Sequence, residues 1–187
     1  ELYYNDYNIE LRHKREGVIK LIKNLQERGI KVDGIGIQGH WHLDSPDLQE
    51  IEESFAAYAA LGCKVMITEF EVNVIPEPLE IVGAEISQQA GYQEKMNPWP
   101  ESFPDSMQQV LARRYAGLFE LFLKNSDKIT RITFWGVHDG YSWKNNWPIP
   151  ATAPIPRKAP IHDQKISALL TRGGPPAVVP RHLRKYL

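Results

Sequence analysis

Apolar positions along the chain fall into two alternating rhythms: short runs of strand character, and longer stretches in which every third or fourth residue is apolar. Leu2-Tyr3-Tyr4 opens as a short strand. From about Leu11 the positions Val18, Ile22 and Leu25 recur at helical spacing, and Gly29 supplies a residue suited to a left-handed helix end. Gly34-Ile35-Gly36-Ile37-Gln38 is a second strand whose glycines allow close packing. Ser45-Pro46 then predicts an N-cap followed by proline at the first helical position. Ile51, Phe55 and Tyr58 form the buried stripe of that helix, which Gly62 closes. Lys64-Val65-Met66-Ile67-Thr68 is continuous and rich in β-branched residues, as a parallel strand covered on both faces requires.

From Val72 to Asp105 five prolines interrupt any regular element. Loops this long inside a compact domain are usually functional or mobile. Ser106 opens a further helix with Val110, Tyr115, Leu118 and Phe122 inward and Asn125 at its end, and Ile129 to Trp135 is the fourth strand. After Trp147 the chain is rich in proline, with a short helical segment from about Gln164 to Leu170. Residues 1–150 therefore read as one organised unit and 151–187 as a divergent tail carrying that final helix.

Strand starts at Leu2, Ile35 and Val65 are separated by 33 and 30 residues, the size of a βαβ unit. Two α/β architectures fit. An open doubly wound sheet, as in a flavodoxin-like binding domain, normally carries a glycine-rich phosphate loop after its first strand, and Leu2-Tyr3-Tyr4-Asn5-Asp6-Tyr7 has none. A (β/α)8 barrel predicts polar and aromatic residues wherever a strand ends, because its active site lies on that rim. Here Asn5-Asp6-Tyr7-Asn8, Gln38-Gly39-His40-Trp41-His42, Glu69-Phe70-Glu71 and Trp135-Gly136-Val137-His138-Asp139 end the four strands. Four units are half of such a barrel. The first residue, Glu1, stands directly against a strand with no turn before it, and the chain reads as beginning in mid-protein.

Composition narrows the function. With 187 residues, 42% hydrophobic and 24% charged, the chain has enough apolar material for one sizeable core. A formal net charge of -1 disfavours nucleic acid as a partner. No apolar run approaches the roughly 20 residues that span a bilayer, so no membrane partner is expected. The single cysteine, Cys63, allows no internal disulfide.

Glu69 follows an apolar strand, so a rigid element delivers its carboxylate to the rim; the plainer alternative is a salt-bridged strand end. Glu71 shares its face if the backbone stays extended, because side chains alternate along a strand. His40 and His42 form a His-x-His pair, but a zinc site needs a third protein ligand that the sequence does not offer, and no metal is expected. An imidazole at the end of the neighbouring strand suits another task, hydrogen-bonding the Glu69 carboxylate and lowering its basicity. Five tryptophans and eight tyrosines are many for this length, and Tyr7, Trp41, Trp135, Tyr141, Trp143 and Trp147 lie in or after rim segments. Flat aromatic faces beside carboxylates and amides suit sugar rings.

Tyr4-Asn5-Asp6-Tyr7-Asn8, Gly36-Ile37-Gln38-Gly39-His40, Ile67-Thr68-Glu69 and the run from Trp135 to Trp143 resemble the strand-five to strand-eight signatures of glycoside hydrolase family 10, the endo-1,4-β-xylanases. The resemblance runs from about Leu2 to Pro150. It implies a (β/α)8 TIM barrel of which this chain supplies the second half, acting on xylan or xylo-oligosaccharide by a retaining, double-displacement mechanism without a cofactor. It also implies Glu69 as nucleophile and His40 as its hydrogen-bonding partner. Gln38, Trp135 and Trp143 would line the sugar site, with Tyr7 and Asn8 on the leaving-group side. Glu71 stands where the family more often has aspartate. The family's acid/base glutamate belongs to the half of the barrel that would precede Glu1. The isolated chain is therefore expected to be nearly inactive and to associate with its missing half or with a second copy, and a polymeric substrate implies secretion. An inactive fragment or carbohydrate-binding remnant is the alternative.

Overall fold

A computed structural model of the chain describes residues 1–74 and 103–135. The tail beyond Pro150, its helical segment and Trp143 lie outside the described residues. The elements are β1 (Tyr3–Asp6), α1 (Arg12–Glu27), β2 (Gly34–Ile37), β3 (His40–His42), α2 (Leu48–Ala59), β4 (Lys64–Asn73), α3 (Asp105–Lys124) and β5 (Ile129–Phe134). None of the described helices is long and apolar enough to cross a membrane.

All strand pairs are parallel: β1 with β2, β2 and β3 with β4, and β4 with β5. β2 and β3 are two pieces of one extended segment. β2 pairs with the first half of β4 and β3 with the second, while the carbonyls of Gln38 and Gly39 between them accept from the N–H groups of Glu69 and Glu71 at 2.8 and 3.1 Å. Strand neighbours in space are thus neighbours in sequence.

Each helix stripe read from periodicity meets one core. Val18 and Ile22 of α1, Ile51, Phe55 and Tyr58 of α2, and Leu118, Leu121 and Phe122 of α3 pack with Ile35, Ile37, Val65 and Ile67 of the sheet. Gly29, at φ 77°, turns the chain so that the Ile30 N–H reaches back to the Leu25 carbonyl at 3.0 Å. The start of α2 corrects the sequence reading. Ser45-Pro46 is a cis peptide ahead of the helix, and the Asp47 side chain accepts from the Glu50 N–H at 2.7 Å, so Asp47 is the cap. Val110 is only half-buried, whereas Leu111 and Leu121 of the same helix are buried.

The third strand continues to Asn73, well past Thr68, and contains an extra residue. β2 and β4 pair as Ile37 with Ile67, whereas β3 and β4 pair as His40 with Glu71, so β4 uses four steps where its neighbour uses three. On the other side Ile67 faces Ile132 and Phe70 faces Phe134, three steps against two. Both neighbours place an extra residue after Ile67, and the β5 pairing puts it before Phe70, which is a β-bulge. Its effect is on facing. Val65 and Ile67 enter the core, and strict alternation would send Glu69 after them. The bulge instead gives the core position to Phe70, leaving Glu69 and Glu71 on the opposite face.

Candidate active site

That opposite face begins with a close backbone approach. Gly36 lies between the side chains of Asn5 and Thr68, where a Cβ would collide with Asn5 Oδ1 and come within 2.9 Å of Thr68 Cγ2. The space lets the Thr68 hydroxyl donate to Asn5 Oδ1 at 2.7 Å, tying β1 to β4 across β2.

One step further along the strands the carboxylates converge on an imidazole. His40 Nδ1 lies 2.8 Å from Glu71 Oε1, at hydrogen-bond distance, and His40 Nε2 lies 3.3 Å from Glu69 Oε2. The three side chains are only 12–18% exposed. A neutral imidazole carries one N–H and a protonated one carries two, so only the protonated ring can donate to both carboxylates. The shorter contact belongs to Glu71, which fixes the ring plane, and Nε2 is thereby turned to Glu69. Trp135 stands edge-on to His40, with ring centroids 6.3 Å apart and an interplanar angle of 84°. Its backbone N–H donates to the Phe70 carbonyl at 3.1 Å, and Trp135 is 40% exposed.

The other residues expected in the site divide. Gln38 is held through its backbone, its N–H donating to Asp6 O at 3.1 Å and its carbonyl accepting from Glu69. Tyr7, exposed after β1, lies under the Lys14 ammonium at 3.6 Å from the ring centroid. Lys14 also donates to the Tyr7 carbonyl at 2.6 Å and pairs with Asp6 at 3.0 Å. Partial burial opposes ionisation of Asp6, but Lys14, the Tyr4 hydroxyl and the Tyr7 N–H outweigh it and hold the carboxyl below its ordinary range. Asn8 occupies the left-handed region at φ 57°, its carbonyl accepting from Leu11 N–H at 3.2 Å. No contact joins Tyr7 or Asn8 to Glu69 among those described.

Trp41 requires a correction. Its place in a rim segment predicts an indole turned to the sugar site, yet it is 1% exposed and packs against Phe70 and Phe122 at 5.5 and 6.1 Å. Alternation along β3 explains this: with His40 and His42 on the carboxylate face, Trp41 must enter the core. Glu71 is the residue whose place in the contact sequence reasoning leaves unassigned. Its position two residues after Glu69, beyond a strand carrying Phe70 inward, is the signal that locates it. Among the described residues, no group of three or more His, Cys, Asp and Glu side chains is arranged to hold a metal ion.

The profile of glycosyl hydrolase family 10 matches residues 1–168, most of the chain. The chain belongs to glycosyl hydrolase family 10. Endo-1,4-beta-xylanase A of Xylanibacter ruminicola is 41% identical over 150 residues, covering 80% of this chain and 41% of that protein. A GH10 endoxylanase retrieved from a sugarcane soil metagenome superposes with a TM-score of 0.67 at 36% identity, over 79% of this chain and 41% of its own. A mutant protein solved in complex with xylotriose gives 0.63 at 30% identity, over 80% and 41%. This family 10 chain thus spans about two fifths of the length of these relatives. The family match also extends past Pro150.

Proposed function

We propose that this chain contributes the nucleophile half of a retaining endo-1,4-β-xylanase, its four parallel strand units forming the second half of a (β/α)8 barrel. The observation that carries the reading is the His40 imidazole set between Glu69 and Glu71 beside an exposed indole. Strand order that follows chain order supports the barrel, whose neighbouring strands are consecutive.

A retaining glycosidase divides its work between two carboxyl groups about 5–5.5 Å apart, one protonating the leaving oxygen and one attacking the anomeric carbon. Glu69 takes the second role. The Glu69 carboxylate forms a bond to the sugar carbon as the glycosidic C–O bond breaks, and water later releases the sugar with its configuration retained. His40 holds the attacking oxygen in place, and Glu71 holds His40. Glu71 does not serve as the acid, because it lies on the strand that carries Glu69 and its oxygen is engaged by the imidazole. The acid/base carboxyl comes from outside residues 1–187, in the part of the relatives' length that the match leaves uncovered. Trp135 and Trp143 wall the sugar, Gln38 lines the site, and Tyr7 and Asn8 receive the leaving-group side. The substrate is xylan or xylo-oligosaccharide, and such a polymer places the enzyme outside the cell.

The test supplies the missing half. Chain 1–187 alone should release almost no reducing sugar from xylan, and joining it to the complementary barrel half should restore turnover. A 2-fluoro-xylobioside that traps the glycosyl-enzyme should then add its mass to the peptide carrying Glu69. Labelling at another carboxylate, or turnover undiminished by Glu69→Gln, would overturn the assignment. Binding of xylo-oligosaccharide by the joined barrel with neither turnover nor label would instead identify a carbohydrate-binding remnant.

A further inference from the structure

We propose that Glu10 is a positioning residue for the site: its hydrogen bond to the Trp41 indole fixes the short strand that carries His40. The role rests on the reading above, in which His40 orients the attacking carboxylate.

Glu10 lies in the turn between β1 and α1, 1% exposed, on the core side of the sheet. Its backbone is pinned. The Ile9 carbonyl accepts from the Tyr58 hydroxyl at 2.5 Å, and the Glu10 carbonyl accepts from Arg15 Nη1 at 3.0 Å. Arg15 Nη1 also donates to the Glu50 carbonyl at 2.9 Å, anchoring the turn to α2. From this fixed point Glu10 Oε1 accepts from Trp41 Nε1 at 2.9 Å, while Oε2 has no hydrogen-bond partner. A buried carboxyl with one oxygen unsatisfied detracts from stability, so its retention calls for a geometric reason.

The geometry supplies one. β3 has only three residues, and its central residue, Trp41, points into the core while His40 points to the carboxylates. Displacement of the indole therefore pulls on the short strand that holds the imidazole. Phe70 and Phe122 confine the ring by contact alone, and the hydrogen bond to Glu10 gives it a direction. Burial raises the Glu10 carboxyl above its ordinary range, and a neutral acid still accepts through Oε1.

Nitrogen-15 NMR of the 187-residue chain tests this without relying on turnover. Glu10→Met and Trp41→Phe each remove one half of the hydrogen bond, and both should displace the His40 ring signals from their parental positions. Glu10→Gln keeps a carbonyl acceptor and should leave them in place. Unmoved His40 signals in both disruptive variants would overturn the proposal, as would Glu10→Gln behaving like Glu10→Met. If Glu10→Met does not fold, as urea titration would reveal, Trp41→Phe decides. In the joined barrel, Glu10→Met should lower kcat roughly tenfold at unchanged KM, with Glu10→Gln close to parent. A joined barrel that does not hydrolyse xylan, together with displaced His40 signals, refutes the functional reading and leaves the positioning role standing.

Discussion

Replacing Phe70 with alanine should remove the piece that holds the site strand to the helix layer. The ring is fully buried and forms a hub, with centroids 5.5 Å from Trp41 and Tyr115, 5.4 Å from Phe122, 5.3 Å from Phe134 and 6.1 Å from Phe119. Truncating a buried phenylalanine to alanine costs about 3–5 kcal/mol through lost transfer energy and the cavity left behind. The upper end applies, because the neighbours are themselves large rings that cannot collapse into the space. Phe70→Leu keeps most of the volume and loses four edge-to-face contacts that share one ring and do not add, so it should cost about 2 kcal/mol, less than alanine. Urea unfolding of parent, Phe70→Ala and Phe70→Leu, followed by far-UV circular dichroism, measures both. A change below about 1 kcal/mol for alanine, or equal losses for the two variants, would refute the hub.

Gly36→Ala should destabilise by about 1–3 kcal/mol, since the new methyl meets Thr68 Cγ2 at 2.9 Å and displaces the Asn5 amide; a urea midpoint equal to the parent's would show that the strands separate easily. Arg15→Met removes buried donors from the carbonyls of Glu10 and Glu50 and should cost about 1.5–3 kcal/mol by the same titration, little of it restored by salt. Glu10→Gln should gain stability over the parent as pH rises. Burial, aided by Glu50 and opposed by the residue's own backbone N–H, the Trp41 hydrogen bond and Lys14, raises the folded carboxyl, so between the unfolded and folded values the folded chain binds more protons and the parent weakens. Glutamine does not titrate, and a stability difference constant from about pH 4 to pH 8 would contradict this.

Periodicity makes the helices legible because their apolar stripes are unambiguous: Val18 and Ile22, then Ile51, Phe55 and Tyr58, all reach the core. Local chemistry is harder to read where two capping signals compete. Ser45-Pro46 precedes α2, but Asp47 holds the free N–H, and the two differ by only two residues. Glu69 and His40 are legible as strand-end residues, and they do meet. Their facing is not legible, because alternation counted from Val65 and Ile67 sends Glu69 inward. The corrective signal lies in the same strand, where the apolar positions change from odd to even at Phe70 and Val72. Trp41 misleads for a related reason: a rim motif states where a residue lies along the strand and not which way it faces. Glu10 gives no sign at all, since a lone glutamate in a turn is ordinarily solvated.

The surplus residue in β4 makes the strand intolerant of a straightening that its composition would not betray. Pairing the strand regularly from Ile67 onward, with every letter kept, would turn that part of the molecule inside out, with phenylalanine on the polar face and both acids driven into oil. Anyone transplanting this pair of carboxylates into another scaffold must carry the irregularity along with it.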